Sequence, residues 1–66
     1  MENRIKEKRK ELKISQADLA KKTGVTRQTI NAIENNKYDP TLSLAFKLSA
    51  ELDITVDELF QHHYNE

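Results

Sequence analysis

Residues 15–37 read SQADLAKKTGVTRQTINAIENNK, and this stretch decides the fold. It spells two short helices joined by one tight turn. Ser15 opens the first as an N-cap, and Asp18 stands three positions on, at capping-box spacing. Gly24 closes it, because a helix that ends in a left-handed residue takes glycine without steric cost. It is the only glycine in the chain. Val25 alone fills the turn before Thr26 caps the second helix. The expected spans are about 15–22 and about 26–35. Leu19, Ala20, Val25, Ile30 and Ile33 are spaced to bury one side of each helix against the other. Ala20 is small where two steeply crossing helices approach most closely. An ordinary helical hairpin does not require cap, glycine and apolar spacing together.

Working outward, residues 4–13, RIKEKRKELK, predict a helix with Ile5, Lys8 or Arg9, and Leu12 turned inward. Arg9 is the odd member, a charge at an inward position. Ile14 then closes the core before the next helix. On the other side, Asn36 is the expected left-handed terminus of the 26–35 helix. Residues 37–40, KYDP, form a loop, since the residue before a proline is biased away from helix. Thr41 caps LSLAFKLSAEL, where Leu42, Ala45, Leu48 and Leu52 repeat with helical spacing and Leu44 widens the stripe. Phe46 falls beside that stripe or near the surface. Asp53 ends the helix and Ile54 drops into the core. Thr55 with Glu58 is a second capping box, opening a short last helix, VDELF. Residues 61–66 carry no helical signal.

Composition narrows the class. Sixty-six residues predict a single domain, spanning 1–66, near the lower limit for a self-sufficient core. With no cysteine, neither a disulfide nor a thiolate metal site braces it. No apolar run approaches the ~20 residues of a membrane span, and the charged start is no signal peptide, so a cytoplasmic protein is expected. Net charge is zero, but its distribution is not even. Residues 1–37 hold ten Lys/Arg against five acids, a balance of +5, and residues 38–66 hold one against six, a balance of −5. A molecule polarised this way presents its basic end to phosphates and keeps its acidic end clear of them. The outward side of the second helix carries Arg27, Gln28, Thr29, Asn31 and Asn35, side chains that hydrogen-bond base edges and phosphates.

The whole pattern resembles the Cro and cI type of bacterial and phage repressors, the XRE family of helix-turn-helix regulators. QADLA, the following glycine, TRQTI and IENNK stand where that family has its second helix, its turn and its recognition helix. KYDPTLSLAFKLSAEL and TVDELF are similar to its fourth and fifth helices, so the resemblance covers about residues 4–60. It implies an all-α, five-helix, lambda-repressor-like DNA-binding fold. Similar short regulators pair their extended termini, which suggests a two-stranded ribbon between residues 1–3 and 60–64.

The resemblance also distributes roles. It makes Arg27 and Gln28 the principal base readers, and their chemistry agrees: Arg pairs bidentately with guanine and Gln with adenine. Thr29 and Asn31 are further candidates on the same face, whereas Ala32, one turn on, reaches only a thymine methyl. Gln16, Asn35, Lys37 and Tyr38 fall at phosphate-contacting positions. Arg9 is expected to pair with Glu34. Val56, Leu59, Phe60 and His62 are expected at a two-fold dimer interface, with Tyr38 or Asp39 at its rim. A short reading helix contacts few bases, so specific binding calls for a second copy one DNA turn away.

The implied function is a sequence-specific transcriptional regulator, a repressor acting as a homodimer on palindromic double-stranded DNA. No cofactor, small-molecule ligand or enzymatic activity is expected. His62 and His63 are adjacent on an extended tail and point to opposite faces, so with Asp57 they make a poor metal site. One alternative stays open on the sequence, an antitoxin-like protein-interaction module that also binds DNA.

Overall fold

The computed structural model describes residues 1–61. Five helices and two short strands follow in order: β1 (Glu2–Asn3), α1 (Ile5–Glu11), α2 (Gln16–Thr23), α3 (Arg27–Glu34), α4 (Leu42–Glu51), α5 (Val56–Leu59) and β2 (Phe60–Gln61). The strands pair antiparallel, Glu2 with Gln61 and Asn3 with Phe60. The ribbon expected from the resemblance is therefore present over its first rungs, and its residues beyond 61 lie outside the described part.

Four helices start on a hydroxyl. Ser15, Thr26, Thr41 and Thr55 each accept a hydrogen bond from the backbone N–H three residues on, satisfying one of the donors a helix start leaves open. The first helix has no such residue at Arg4, and the side chain of Asn3 caps it from one position earlier, accepting from Ile5 N–H at 3.1 Å. The helix ends are equally regular. Lys13, Gly24, Asn36 and Asp53 all have positive φ, between 53° and 75°. The N–H groups of Ile14, Val25, Lys37 and Ile54 then reach back to the carbonyls of Arg9, Ala20, Ala32 and Ser49. That is the six-to-one bond of a Schellman turn, used four times. Ile14, Val25 and Ile54 pack against the core, so three of the four turns carry their usual apolar anchor.

The core takes at least one residue from every helix. Ile5, Leu19, Ile30, Ile33, Leu48 and Leu59, together with Leu52 at the end of α4, are fully buried. Thr23, also buried, gives its hydroxyl to the Leu19 carbonyl at 2.8 Å. Two inward assignments are corrected. Leu12 is 44% exposed, because α1 ends at Glu11 and the turn at Lys13 hands the inward position to Ile14. Leu42 is 68% exposed: it lies on the first turn of α4, at the edge of a stripe whose buried members are Leu44, Ala45, Leu48 and Ser49. Phe46, at 57% exposed, lies on the surface.

Candidate nucleic-acid interface

Capping and the Gly24 turn put the starts of α2 and α3 side by side. Gln16 is the first residue of α2 and Arg27 the first of α3, and the Arg27 Nε donates to Gln16 Oε1 at 3.3 Å. The other end of the same amide is fixed: Gln16 Nε2 donates to Glu34 Oε1 at 3.1 Å. Glu34 in turn receives Arg9 Nε at 2.9 Å and Arg9 Nη2 at 3.3 Å, while Arg9 Nη1 donates to the Ile14 carbonyl at 3.1 Å. Arg9 and Glu34 side chains are only 12% and 3% exposed. A planar guanidinium meeting both carboxylate oxygens is the favourable geometry for a pair withdrawn from water. One chain of bonds thus runs from the interior, Arg9 to Glu34 to Gln16, out to Arg27 on the surface.

Around that anchor the exposed side chains form two shallow clefts. Gln16, Arg27, Gln28 and Asn31 line one. Thr26, Gln28, Thr29, Ala32 and Tyr38 line the other. Gln28 stands on the ridge between them, exposed and central. Thr29 is half-buried, and its hydroxyl lies 3.0 Å from that of Thr26, within the cap. Asn31 is bridged to Asn35, whose Nδ2 donates to the Asn31 carbonyl at 2.8 Å and to Asn31 Oδ1 at 3.2 Å. Asn35 and Lys37 sit at the far end of α3, outside both clefts, and both are exposed. Tyr38 is 49% exposed.

The residues expected at a dimer axis separate. Leu59 is wholly inside its own chain, because α5 is a single turn and spends that residue on the core. Phe60 is 8% exposed and Val56 half-buried; His62 lies outside the described residues. Val56 and Phe60 do share an apolar groove with Met1, Pro40, Leu42 and Ala45. Sequence reasoning missed Met1, Pro40 and Leu42 there. Leu42 repeats with Ala45 and Leu48 at helical spacing, a pattern that points inward and not to this groove. Among the described residues no group of three or more His, Cys, Asp or Glu is placed to hold a metal, and no helix is long and apolar enough to cross a membrane.

Comparison with known proteins agrees with this geometry. The helix-turn-helix family model HTH_3 matches residues 5–59. An uncharacterized HTH-type transcriptional regulator of Methanocaldococcus jannaschii is 46% identical over 66 residues, the full length of both chains. Among solved structures, the N-terminal DNA-binding domain of SinR from Bacillus subtilis superposes with a TM-score of 0.80 at 36% identity, covering 94% of this chain and 91% of that one. The restriction-modification controller protein C.AhdI from Aeromonas hydrophila gives 0.79 at 33% identity, covering 86% of each chain. With its capped helix pair, its left-handed glycine and these likenesses, the chain belongs to the XRE family of helix-turn-helix transcriptional regulators.

Proposed function

We propose that the protein binds a palindromic DNA operator as a homodimer and represses transcription by occluding it. The observation that carries this reading is the exposed run Arg27, Gln28 and Asn31 beside Gln16, on the first two turns of a helix whose other side is core. A helix of this kind inserts its N-terminal residues into the major groove. Arg27 and Gln28 then read base edges, with Asn31 and the Thr29 methyl beside them. Gln16, Asn35, Lys37 and Tyr38 contact the phosphates on either side. A solved SinR–DNA complex, similar to this chain with a TM-score of 0.73 and 41% identity, supports the assignment.

The second copy docks through the apolar groove of Val56, Phe60, Met1, Pro40 and Leu42, with Leu59 serving the core behind it. Self-complementary two-fold contacts are the commonest oligomer geometry, and paired half-sites one DNA turn apart, ~34–36 Å, call for two copies of the reading helix. Neither an enzymatic step, a cofactor nor a small-molecule ligand enters this reading, and its setting is the cytoplasm. Selection of bound duplexes from a random pool at near-physiological salt tests it. A palindromic consensus is the expected outcome; a pool that shows no enrichment contradicts the reading.

A further inference from the structure

Asn3 lies on β1 and its side chain leaves the ribbon toward the end of the reading helix. Its Nδ2 donates to the Ile33 carbonyl at 2.8 Å and lies 3.4 Å from both Asn36 Oδ1 and the Met1 carbonyl. Its Oδ1 accepts from Ile5 N–H at 3.1 Å, and its backbone pairs with Phe60. One half-buried residue therefore joins α1 and the last turn of α3 through its side chain and β2 through its backbone.

The place it grips is informative. The Ile33 carbonyl already accepts from Asn36 N–H at 3.1 Å, and Lys37 N–H returns to Ala32 at 2.9 Å. Asn36 is the left-handed residue of that turn, with φ 61°. Lys37 and Tyr38 leave α3 in the direction this turn sets. Lys37 is also the one residue after the four Schellman turns that has no apolar side chain to hold its turn on the core. Asn3 supplies that hold from outside. The family model begins at residue 5 and ends at 59, so Asn3 and its strand partner Phe60 fall beyond the matched segment.

We propose that Asn3 is a positioning residue: it fixes the turn after the reading helix so that Lys37 meets the DNA backbone. The proposal rests on the DNA-binding reading above. A purely structural Asn3, capping α1 and nothing more, would lower stability and leave the affinity of folded protein unchanged.

Two variants separate these roles in the full chain. Asn3→Ala removes cap and grip together. Asn3→Ser keeps a hydroxyl able to accept from Ile5 N–H, as Ser does in such turns, but is too short to reach Ile33. Each is titrated against a selected operator and a random duplex over a range of salt, at a temperature where circular dichroism finds it folded. Asn3→Ser is expected to lose roughly two- to tenfold on both DNAs, with the salt slope reduced by about 1. Lys37→Ala should then add little in the Asn3→Ser background, whereas Gln28→Ala adds its full loss. In the free protein, amide exchange at Lys37 should quicken in Asn3→Ser. Wild-type affinity in folded Asn3→Ser, additive losses with Lys37→Ala, or unchanged exchange at Lys37 would each overturn the proposal. Failure of the wild type to bind any duplex would instead remove the DNA-binding reading, and this proposal with it.

Discussion

The α2–turn–α3 face and the groove between α4, α5 and the N-terminus are built on opposite principles. On the first, polar groups are bonded to one another from the withdrawn Arg9–Glu34 pair through half-buried Gln16 to exposed Arg27. On the second, Leu42 at 68% exposed joins Met1, Pro40, Val56 and Phe60 around an apolar hollow. The first face is held in shape before anything binds, which reduces the ordering cost of contacting a rigid, charged duplex. The second gains by leaving water, which suits another protein surface of the same kind. In so small a domain the two faces share one core, so each can be disturbed while the other is watched.

The largest effect should come from the interior end of the polar face. Arg9→Met strands the Glu34 carboxylate, 3% exposed, without its partner. Removing one member of a buried pair costs ~3–5 kcal/mol, and small domains hold little more than that. Urea denaturation should show most of the stability gone, against almost no change for the exposed Lys10→Met. Equal midpoints for the two variants would mean that the pair contributes no more than a surface charge.

On the apolar face, Leu42→Asp places a charge in the groove without touching the core. Interface anchors typically contribute about 2 kcal/mol or more, so sedimentation equilibrium should move toward the 7.7 kDa monomer while the fold persists. A dimer that survives this variant unchanged lies on another surface. Conversely, a wild type that sediments only as monomer, with or without DNA, removes the groove from the functional account.

A smaller effect sharpens the reading face itself. Gln28→Ala should lose ~1–3 kcal/mol on the preferred operator and much less on random DNA. Lys37→Ala should weaken both alike and lower the salt slope by about 1. Equal losses for Gln28→Ala on the two DNAs would show that it reads no base.

The smallest effect concerns the helix ends that hold both faces. Lys13 adopts φ 58° where Gly24 adopts 75° in the equivalent turn. A left-handed residue with a Cβ costs ~1–2 kcal/mol, and glycine returns part of that through its freer unfolded chain. Lys13→Gly should therefore raise stability by about 0.5 kcal/mol with DNA affinity unchanged. A loss of stability would mean that the Lys13 side chain makes a compensating contact.

The helix order, the caps at Ser15, Thr26, Thr41 and Thr55, and the turns at Gly24, Asn36 and Asp53 were legible in the sequence because each is a local rule acting over three to six residues. Leu12 and Leu42 depart from the expected burial for the same reason. Apolar periodicity does not tell where a helix stops or which turn its neighbours cover. The resemblance puts Leu59 at a two-fold interface, and the sequence carries no mark of how much of α5 the chain's own core takes up. The core absorbs Leu59 whole, and Phe60 nearly so. The Arg9–Glu34 approach was expected from resemblance and from an inward charge on each helix. Its continuation through Gln16 to Arg27 depends on amide orientation, which no spacing encodes. The grip of Asn3 on the end of α3 left no sequence signal, since Ile33 and Asn36 lie 30 and 33 residues away.

Sequence-specific DNA recognition, on which the roles of Arg27 and Gln28 depend, is met most directly by one equilibrium measurement. Wild-type protein is titrated against its selected operator and against a scrambled duplex of equal length at a single near-physiological salt concentration. Operator binding is expected to be roughly 10³-fold or more tighter than scrambled binding. Equal affinity for the two duplexes would contradict it.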